Sequence, residues 1–248
     1  MRMIKGLRRT DAETLASARA QGGAFADAAD LWRRTGLGAG VLERLAGSDA
    51  FRGMGLDRRA ALWAVKALGD APLPLFARLP DGARRPEPPA RLPEMPLGEH
   101  VVEDYASLSL SLKCHPLTLL RDGLIAARIQ PASRLREVRD GKRLSVAGLV
   151  LVRQRPGTSK GVIFITLEDE TGIANLVVMP DIFERFRREI LTARLLAATG
   201  RVEKEGEVIH LKVERLTDLT ARLTDLLADD PAPRRAVGDR FPDGRNFR

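Results

Sequence analysis

The stretch that decides the fold covers residues 160–180 and has the sequence KGVIFITLEDETGIANLVVMP. Two runs of β-branched and aliphatic residues, 161–168 and 173–178, lie on either side of a Glu-Asp-Glu-Thr-Gly turn. Apolar runs joined by turn-forming residues predict two paired strands. Pro180 follows, and because proline is favoured at the first position of a helix, we expect a short helix over residues 181–190.

Three further apolar runs flank this strand pair. Residues 143–153 and 195–202 are rich in Leu, Val and Ala, and residues 208–215 alternate strictly between apolar and polar side chains. Strict alternation predicts a half-buried strand. Three strands, a short helix and two more strands form the element order of the OB fold, a five-stranded and partly open barrel. We therefore predict an OB-type β-barrel.

The rest of the chain is predicted to be mostly helical, which makes the fold class α+β. Short apolar segments separated by glycines predict a bundle of short helices before residue 70. Eight of the fifteen prolines fall between residues 72 and 96, which predicts an extended linker. We predict five segments: a helical region at residues 1–69, a Pro-rich linker at 70–98, a helical connector at 99–130, the OB domain at 131–220 and a flexible basic tail at 221–248.

The charge of the chain suits a polyanionic partner. There are 41 Lys and Arg against 33 Asp and Glu, which sets a formal net charge of +8 and a pI of about 10.3. Residues 134–160 concentrate this charge, with eight basic residues against two acidic ones. Nucleic acid is the first partner that such a balance indicates, and an anionic membrane surface is the second. The alternative explanation of this charge is a basic protein that has no polyanionic partner.

Several function classes find no support in the sequence. Cys114 is the only cysteine and the three histidines are far apart, so we expect no disulfide, no metal site and no cofactor in this chain. The Glu168-Asp169-Glu170 cluster is interpreted as a turn. No catalytic constellation is present. Neither a signal peptide nor a stretch of eighteen apolar residues is evident, so we expect a cytoplasmic protein with no membrane partner.

The candidate nucleic-acid-binding residues of the barrel lie around its first hairpin. OB barrels bind oligonucleotides on strands two and three and through the loops between strands one and two and strands four and five. These loops are predicted at residues 154–160 and 203–207. Phosphate contacts are assigned to Arg143, Arg153, Arg155 and Lys160, and base stacking to Phe164. With one strand aromatic, we expect weak, salt-sensitive binding with little sequence preference.

A second candidate site lies in the helical region. Gly53 and Gly55 form a glycine-hydrophobic-glycine turn between two predicted helices, with Arg58 beside it. Such a turn can present backbone N–H groups to a DNA phosphate near a helix N-terminus. An ordinary turn between two helices explains the pattern equally well.

Five segments, in order along the chain, resemble the C-terminal region of bacterial C-family DNA polymerases, in particular the error-prone branch of the polymerase III alpha type. LDRRAALW at residues 56–63 is similar to the helix-hairpin-helix region of that family. LSLSLKCHPLTLLR at residues 108–121 resembles the segment before the barrel, and residues 143–160 and 160–180 resemble the OB domain. RNFR at residues 245–248 resembles the end of the family's chains. Met179 departs from the pattern, because an aromatic residue is expected there.

The resemblance implies translesion synthesis in the DNA-damage response, with single-stranded template and primer–template duplex as partners. It places the metal-binding carboxylates in a palm domain upstream of this region, so divalent metal is implied only there and we expect this chain alone to be inactive as a polymerase. Proteins of the mutagenesis complex or a sliding clamp are further partners that the family suggests. Two alternatives stay open: a protein-docking module, and a stand-alone OB protein that binds RNA.

Overall fold

The computed structural model describes residues 2–68, 92–158, 160–227 and 237–246. The chain divides into two compact units, Met1–Met95 and Pro96–Arg248. Most of the predicted Pro-rich linker lies outside the described residues. The helical connector and the barrel belong to one unit, whereas the finer division into five segments stays a prediction.

The first unit is a bundle of short helices: α1 Arg9–Gly22, α2 Ala28–Thr35, α3 Ala39–Gly47 and α4 Arg58–Leu68. The side chain of Asp27 caps α2 by accepting a hydrogen bond from the backbone N–H of Asp30 at 2.7 Å. Gly36 ends the same helix in the left-handed region at φ 63°. The apolar faces meet in one core, whose most buried members are Leu42, Ala46, Phe51, Ala61 and Val65.

The second unit begins with three helices: α5 Leu97–Leu108, α6 Pro116–Ala126 and α7 Arg134–Glu137. Pro116 occupies the start of α6, where its missing N–H costs nothing, and His115 caps the helix. The apolar faces of α5 and α6 pack against the outside of the barrel in a cluster that includes Val101, Leu117, Leu124, Leu149 and Leu195. The connector therefore shares a core with the barrel.

The barrel contains β1 Arg143–Gln154, β2 Ile163–Asp169, β3 Gly172–Val178, β4 Leu195–Glu205 and β5 Val208–Asp218, with α8 Pro180–Arg185 and α9 Arg187–Thr192 between β3 and β4. The strands close in the order β1-β2-β3-β5-β4. All neighbours are antiparallel except β3 and β5. The predicted α+β fold class with an OB-type barrel is confirmed.

Closure depends on β1, which pairs with two different strands. Its first half pairs with β4 and its second half with β2, and the register shifts between Val150 and Val152. A bulge of this kind bends a strand and so lets it pass from one neighbour to the next. Gly148 allows β2 to approach β1 closely, because a Cβ at this position would lie 2.7 Å from the carbonyl oxygen of Glu168.

The connector is attached to the barrel by ion pairs at the β2–β3 turn. Arg121 on α6 donates to Asp169 at 3.0 Å and to Glu170 at 2.5 and 2.7 Å. Asp169 also accepts from the backbone N–H of Ala132 at 2.7 Å and of Thr171 at 2.8 Å. These bonds agree with the interpretation of the acidic cluster as a turn and explain why two carboxylates are tolerated where the surface is largely covered.

The prediction of a flexible tail over residues 221–248 is wrong for two stretches. A 3₁₀ helix forms at Thr220–Leu227, and α10 follows at Val237–Arg240. Their apolar residues Leu223, Leu226, Val237 and Phe241 are buried against the connector, where the rings of Phe241 and Tyr105 lie 4.8 Å apart. The polar composition of the tail hid these few apolar residues, which need the connector to form a core.

Candidate nucleic-acid interface

One row of outward-facing side chains runs around the closed barrel and includes one residue from each of the five strands. We call it the outer row, and its members are Arg143, Arg201, Lys212, Val177 and Phe164, which lie on β1, β4, β5, β3 and β2. Each is the direct cross-strand neighbour of the next. Neighbouring strands lie about 4.8 Å apart, so the row follows a path of roughly 19 Å around the barrel. It joins Arg143 and Phe164, two predicted site residues that are distant in sequence.

The cations of the outer row are partly neutralised by two carboxylates. Glu214 contacts Arg143 at 2.8 Å and Arg201 at 3.2 Å, and Glu203 contacts Lys212 at 3.2 Å. All of these side chains are substantially exposed to solvent. Exposed ion pairs of this kind contribute little to stability, so the arginine and lysine groups can exchange a carboxylate for a phosphate at small cost.

A second row of polar side chains runs beside the outer row. Glu203, His210, Asn175 and Thr166 are successive cross-strand neighbours on β4, β5, β3 and β2. The hydroxyl of Thr166 lies 3.4 Å from Oδ1 of Asn175. Nδ1 of His210 is buried without a hydrogen-bond partner among the described residues. Hydroxyl, amide and imidazole groups next to a cationic row are able to contact sugars and base edges.

The loop between β1 and β2, residues 155–162, lies next to the Phe164 end of the outer row. Arg155 and Lys160 are exposed in it. The guanidinium carbon of Arg155 lies 5.6 Å from the centre of the Phe183 ring, which belongs to the helix after β3. Lys160 adopts φ 50° and precedes Gly161 at φ 89°, so the loop turns sharply where it meets β2. Two predicted phosphate ligands thus lie at the edge of the outer row.

The opposite loop, between β4 and β5, has different chemistry. It is a tight turn around Gly206, which has φ 59°, and its neighbours Glu205 and Glu207 are acidic. Carboxylates repel phosphates, so this loop supplies no anion site. The basic side of the barrel mouth is therefore the one formed by residues 155–162.

Arg153 needs a correction as a predicted phosphate ligand. It is 1% exposed. Its guanidinium donates to the carbonyl oxygens of Ile190, Ala193 and Asp243. Burial lowers the pKa of Arg153, and the nearby Asp243 carboxylate opposes that shift. A guanidinium saturated by backbone acceptors inside the fold is not available to DNA, so its role is structural.

Arg58 in the first unit needs the same correction. It is 1% exposed, and Nε donates to the carbonyl oxygen of Gly47 at 2.8 Å. The bond joins the end of α3 to the start of α4. Gly53 and Gly55 remain open, because a Cβ added at either would contact nothing within 4 Å. Their assignment as a phosphate-binding turn stays a prediction.

Sequence reasoning missed a second glycine-hydrophobic-glycine turn, Gly36-Leu37-Gly38. Leu37 is buried, Gly36 adopts φ 63°, and Gly38 caps the N-terminus of α3. Both glycines have open space around them. The G-L-G spacing directly before a helix was the available signal. Sequence reasoning also missed Arg201 and Lys212, because only the register of β4 and β5 brings them beside Arg143.

Neither a metal site nor a membrane span is found in the part of the chain that the structure describes. Its His, Cys, Asp and Glu side chains form no group of three or more that could hold a metal ion. None of its helices combines the length and the apolar character needed to cross a membrane.

Two family models match the chain. One, described as a helix-hairpin-helix motif, matches residues 1–61. The other, described as an OB-fold nucleic acid binding domain, matches residues 144–219. The first range contains α1 to α3 and the start of α4, and the second contains nearly the whole barrel. The predicted helix-hairpin-helix region and OB domain are confirmed.

Curated relatives match nearly the whole chain. Error-prone DNA polymerase 2 of Rhizobium meliloti is 47% identical over 252 residues, covering 98% of this chain and 23% of the relative. The error-prone DNA polymerase of Ruegeria pomeroyi is 51% identical over 226 residues, covering 91% of this chain and 20% of the relative. The chain therefore spans about a fifth of the length of these relatives.

A solved structure shares a local similarity. Asparaginyl-tRNA synthetase from Pyrococcus horikoshii, complexed with asparaginyl-adenylate, is 28% identical over 32% of this chain and 19% of its own, with a TM-score of 0.28.

Proposed function

We propose, on the premise that this chain corresponds to one region of the bacterial error-prone DNA polymerases, that it holds the single-stranded template during synthesis on damaged DNA. The observation that carries the proposal is the outer row, in which three cations lie on neighbouring strands and an aromatic ring follows beyond Val177. We place this function in the cytoplasm, as expected from the sequence.

Residues of the outer row and of the adjoining loop contact different parts of the single strand. Arg143, Arg201 and Lys212 attract the phosphates, and Arg155 and Lys160 extend this attraction past the edge of β2. Phe164 offers a face on which one base can stack. Because every base has an aromatic face and every nucleotide a phosphate, this arrangement tolerates any template sequence, as copying requires.

The first unit is assigned to the primer–template duplex. Its two glycine-hydrophobic-glycine turns, at Gly36–Gly38 and Gly53–Gly55, have open surroundings that allow a sugar–phosphate chain to approach the backbone. Phosphate contacts of this kind position a protein without reading sequence. The chemistry of nucleotide transfer and its divalent metal are assigned to another part of the polymerase, and no step of it is assigned to the described residues.

The proposal is tested by the salt dependence of binding. A fluorescent oligo(dT) is titrated with the chain at several salt concentrations, and the affinity should fall as salt rises, because each phosphate contact on a single strand contributes about 0.7 to the slope of log K against log salt. The variant Arg201→Gln/Lys212→Gln should lower the magnitude of that slope by the equivalent of roughly one to two phosphate contacts.

The matched control removes two cations from the helical side of the same unit. Arg128 lies two residues after α6, and Arg222 lies in the 3₁₀ helix after β5. Arg128→Gln/Arg222→Gln changes the net charge equally and should leave the slope nearly unaltered. Binding that is absent or independent of salt would instead favour a docking module for mutagenesis proteins or a sliding clamp.

A further inference from the structure

The last described segment of the chain, Val237–Asn246, is attached to the strand that leads into the β1–β2 loop. We call this segment the clasp. Arg245 and Val152 form a parallel bridge, in which the N–H of Arg153 donates to Arg245 at 2.7 Å and the N–H of Arg245 donates to Leu151 at 2.8 Å. The clasp therefore pairs with β1 where β1 has left β4.

The side chain of Arg153 joins three separate parts of the unit. Nη1 donates to the carbonyl oxygen of Asp243 at 2.8 Å and to Oδ1 of Asn246 at 3.0 Å, both in the clasp. Nε donates to the carbonyl oxygen of Ile190 at 2.5 Å, and Nη2 donates to that of Ala193, both at the end of α9. One buried guanidinium thus fixes the clasp and the end of α9 to the C-terminal end of β1.

A second arginine and an aromatic pair hold the other end of the clasp. Nη1 of Arg194 donates to the carbonyl oxygens of Gly238 at 2.9 Å and Phe241 at 2.5 Å. Phe241 is 2% exposed and packs against Tyr105. Hydrogen bonds from a partly buried guanidinium to backbone carbonyls make a firmer attachment than an exposed ion pair.

Gly244 shows how closely the clasp approaches β1. It has φ 67°, and a Cβ at this position would lie 2.7 Å from the carbonyl oxygen of Val150 and 3.0 Å from Nη1 of Arg153. Since the obstructing atom on β1 belongs to the backbone, it cannot move aside easily. Any larger residue would force the clasp away from the strand.

We propose that the clasp positions the β1–β2 loop for binding the template strand, and that Arg153 is the positioning residue that transmits this effect. The loop begins two residues after Arg153, and its exposed cations Arg155 and Lys160 lie outside the strands. The inference rests on the proposed function. It assigns to Arg153 an indirect role in place of the phosphate contact predicted from the sequence.

The physical effect is a reduction of the entropy lost on binding. A loop that is already held in its bound position loses less conformational freedom when DNA arrives. Loosening the clasp should therefore weaken binding without removing a phosphate contact. The salt slope counts phosphate contacts, so it should stay the same while the affinity falls. This combination separates a positioning residue from a phosphate ligand.

The test measures oligo(dT) binding by Gly244→Ala and Arg153→Gln in the full chain. Both variants should bind roughly three- to tenfold more weakly than the parent at each salt concentration, with the slope unchanged. Arg155→Gln/Lys160→Gln should lower the slope. Gly23→Ala is the matched control for Gly244→Ala, since Gly23 has φ 73° with nothing within 4 Å and lies in the first unit.

Amide hydrogen exchange supplies a readout that does not depend on DNA. Exchange across residues 155–162 should accelerate in Gly244→Ala, while exchange in β3 stays slow. Gly244→Ala keeps the test valid if the buried change Arg153→Gln prevents folding.

Any of three results would contradict the proposed role of the clasp: unchanged affinity in a folded Gly244→Ala variant, unchanged amide exchange in the loop of that variant, or a salt slope that falls together with affinity in Arg153→Gln. The last would make Arg153 a phosphate ligand after all. If the parent chain does not bind oligo(dT), the proposed function is wrong. Faster amide exchange in the loop of Gly244→Ala would then show that the clasp holds the loop, but the clasp would have no role in DNA binding.

Discussion

Arg153 lies just before the β1–β2 loop and Lys160 lies within it, and although both carry the same charge their environments are opposite. Lys160 is exposed beside the outer row, whereas Arg153 is buried and donates to backbone carbonyls. A guanidinium can enter the interior because its five donors can all be satisfied by acceptors arranged around it. Charge in a sequence therefore indicates a partner only after the position of each cation is known.

Phe164 provides a prediction at the residue scale. Its ring lies half-buried on the outer face of β2, so its loss should cost binding and little stability. Stacking on one aromatic contributes about 1–3 kcal/mol per base, and Phe164→Ala should therefore weaken oligo(dT) binding at least fivefold, without changing the salt slope. Fluorescence titration checks this, and a Phe164→Tyr variant, which keeps the ring, should bind like the parent.

Arg58 provides the converse prediction. Arg58→Met keeps an apolar stem of similar length but leaves the carbonyl oxygen of Gly47 without this donor. A hydrogen bond donated by a charged group contributes about 1.5–3 kcal/mol, so the free energy of unfolding of the first unit should fall by up to roughly that amount. Urea denaturation measures it. A variant that lost DNA affinity while keeping its stability would restore Arg58 as a phosphate ligand.

At the scale of the element, helix α6 depends on an imidazole at its N-terminus. Nδ1 of His115 accepts a hydrogen bond from the N–H of Leu117 at 3.2 Å, which requires the ring to be neutral. Burial lowers the pKa of His115 below its ordinary value of 6.5; Glu170 and Asp169 oppose this shift, and Arg121 reinforces it. The cap and the depressed pKa have one cause, because a protonated ring would be both buried and unable to accept.

This depressed pKa predicts a pH dependence of stability. Below pH 6.5 the histidine of the unfolded chain takes up a proton that the folded chain refuses, so the free energy of unfolding should fall as pH decreases through that range and be fully restored above it. His115→Asn retains a side-chain acceptor and removes the titration. Urea midpoints at about pH 7.5 and about pH 5.5 should therefore differ less in the variant. Equal pH dependence in both chains would assign the effect to other groups.

At the scale of the whole molecule, each unit has its own core. The apolar cluster of the first unit contains only residues before Met95, and the two clusters of the second contain only residues after Pro96. A protein region that buries its own apolar surface can fold by itself.

The division predicts that residues 96–248 expressed alone unfold cooperatively and bind oligo(dT) within about threefold of the full chain. Circular dichroism and the same titration measure both properties. Residues 1–95 serve as the comparison, since that fragment lacks the outer row and should bind the single strand more weakly. A barrel fragment without a cooperative transition would show that the helical unit is needed for its stability.

The sequence by itself determined the elements and their order. Alternation with period two, turn-forming residues and Pro180 act locally, so strands, turns and the helix after β3 were predictable, and their order led to the barrel. The motif turn at Gly53–Gly55 and the basic first loop were visible for the same reason. The apolar residues of the tail were not, because their partners lie on α5 and α6, far away in sequence.

Only the tertiary structure decided which cations are exposed and which lie next to one another. Arg143, Arg201 and Lys212 become neighbours through the register of β1, β4 and β5, and a shift of one residue would turn a strand's side chains to the other face. Burial of Arg153 required the end of the chain to return to β1, a contact between residues that no local pattern joins. Local forces specify strands and turns, whereas the environment of a charge depends on everything that packs around it.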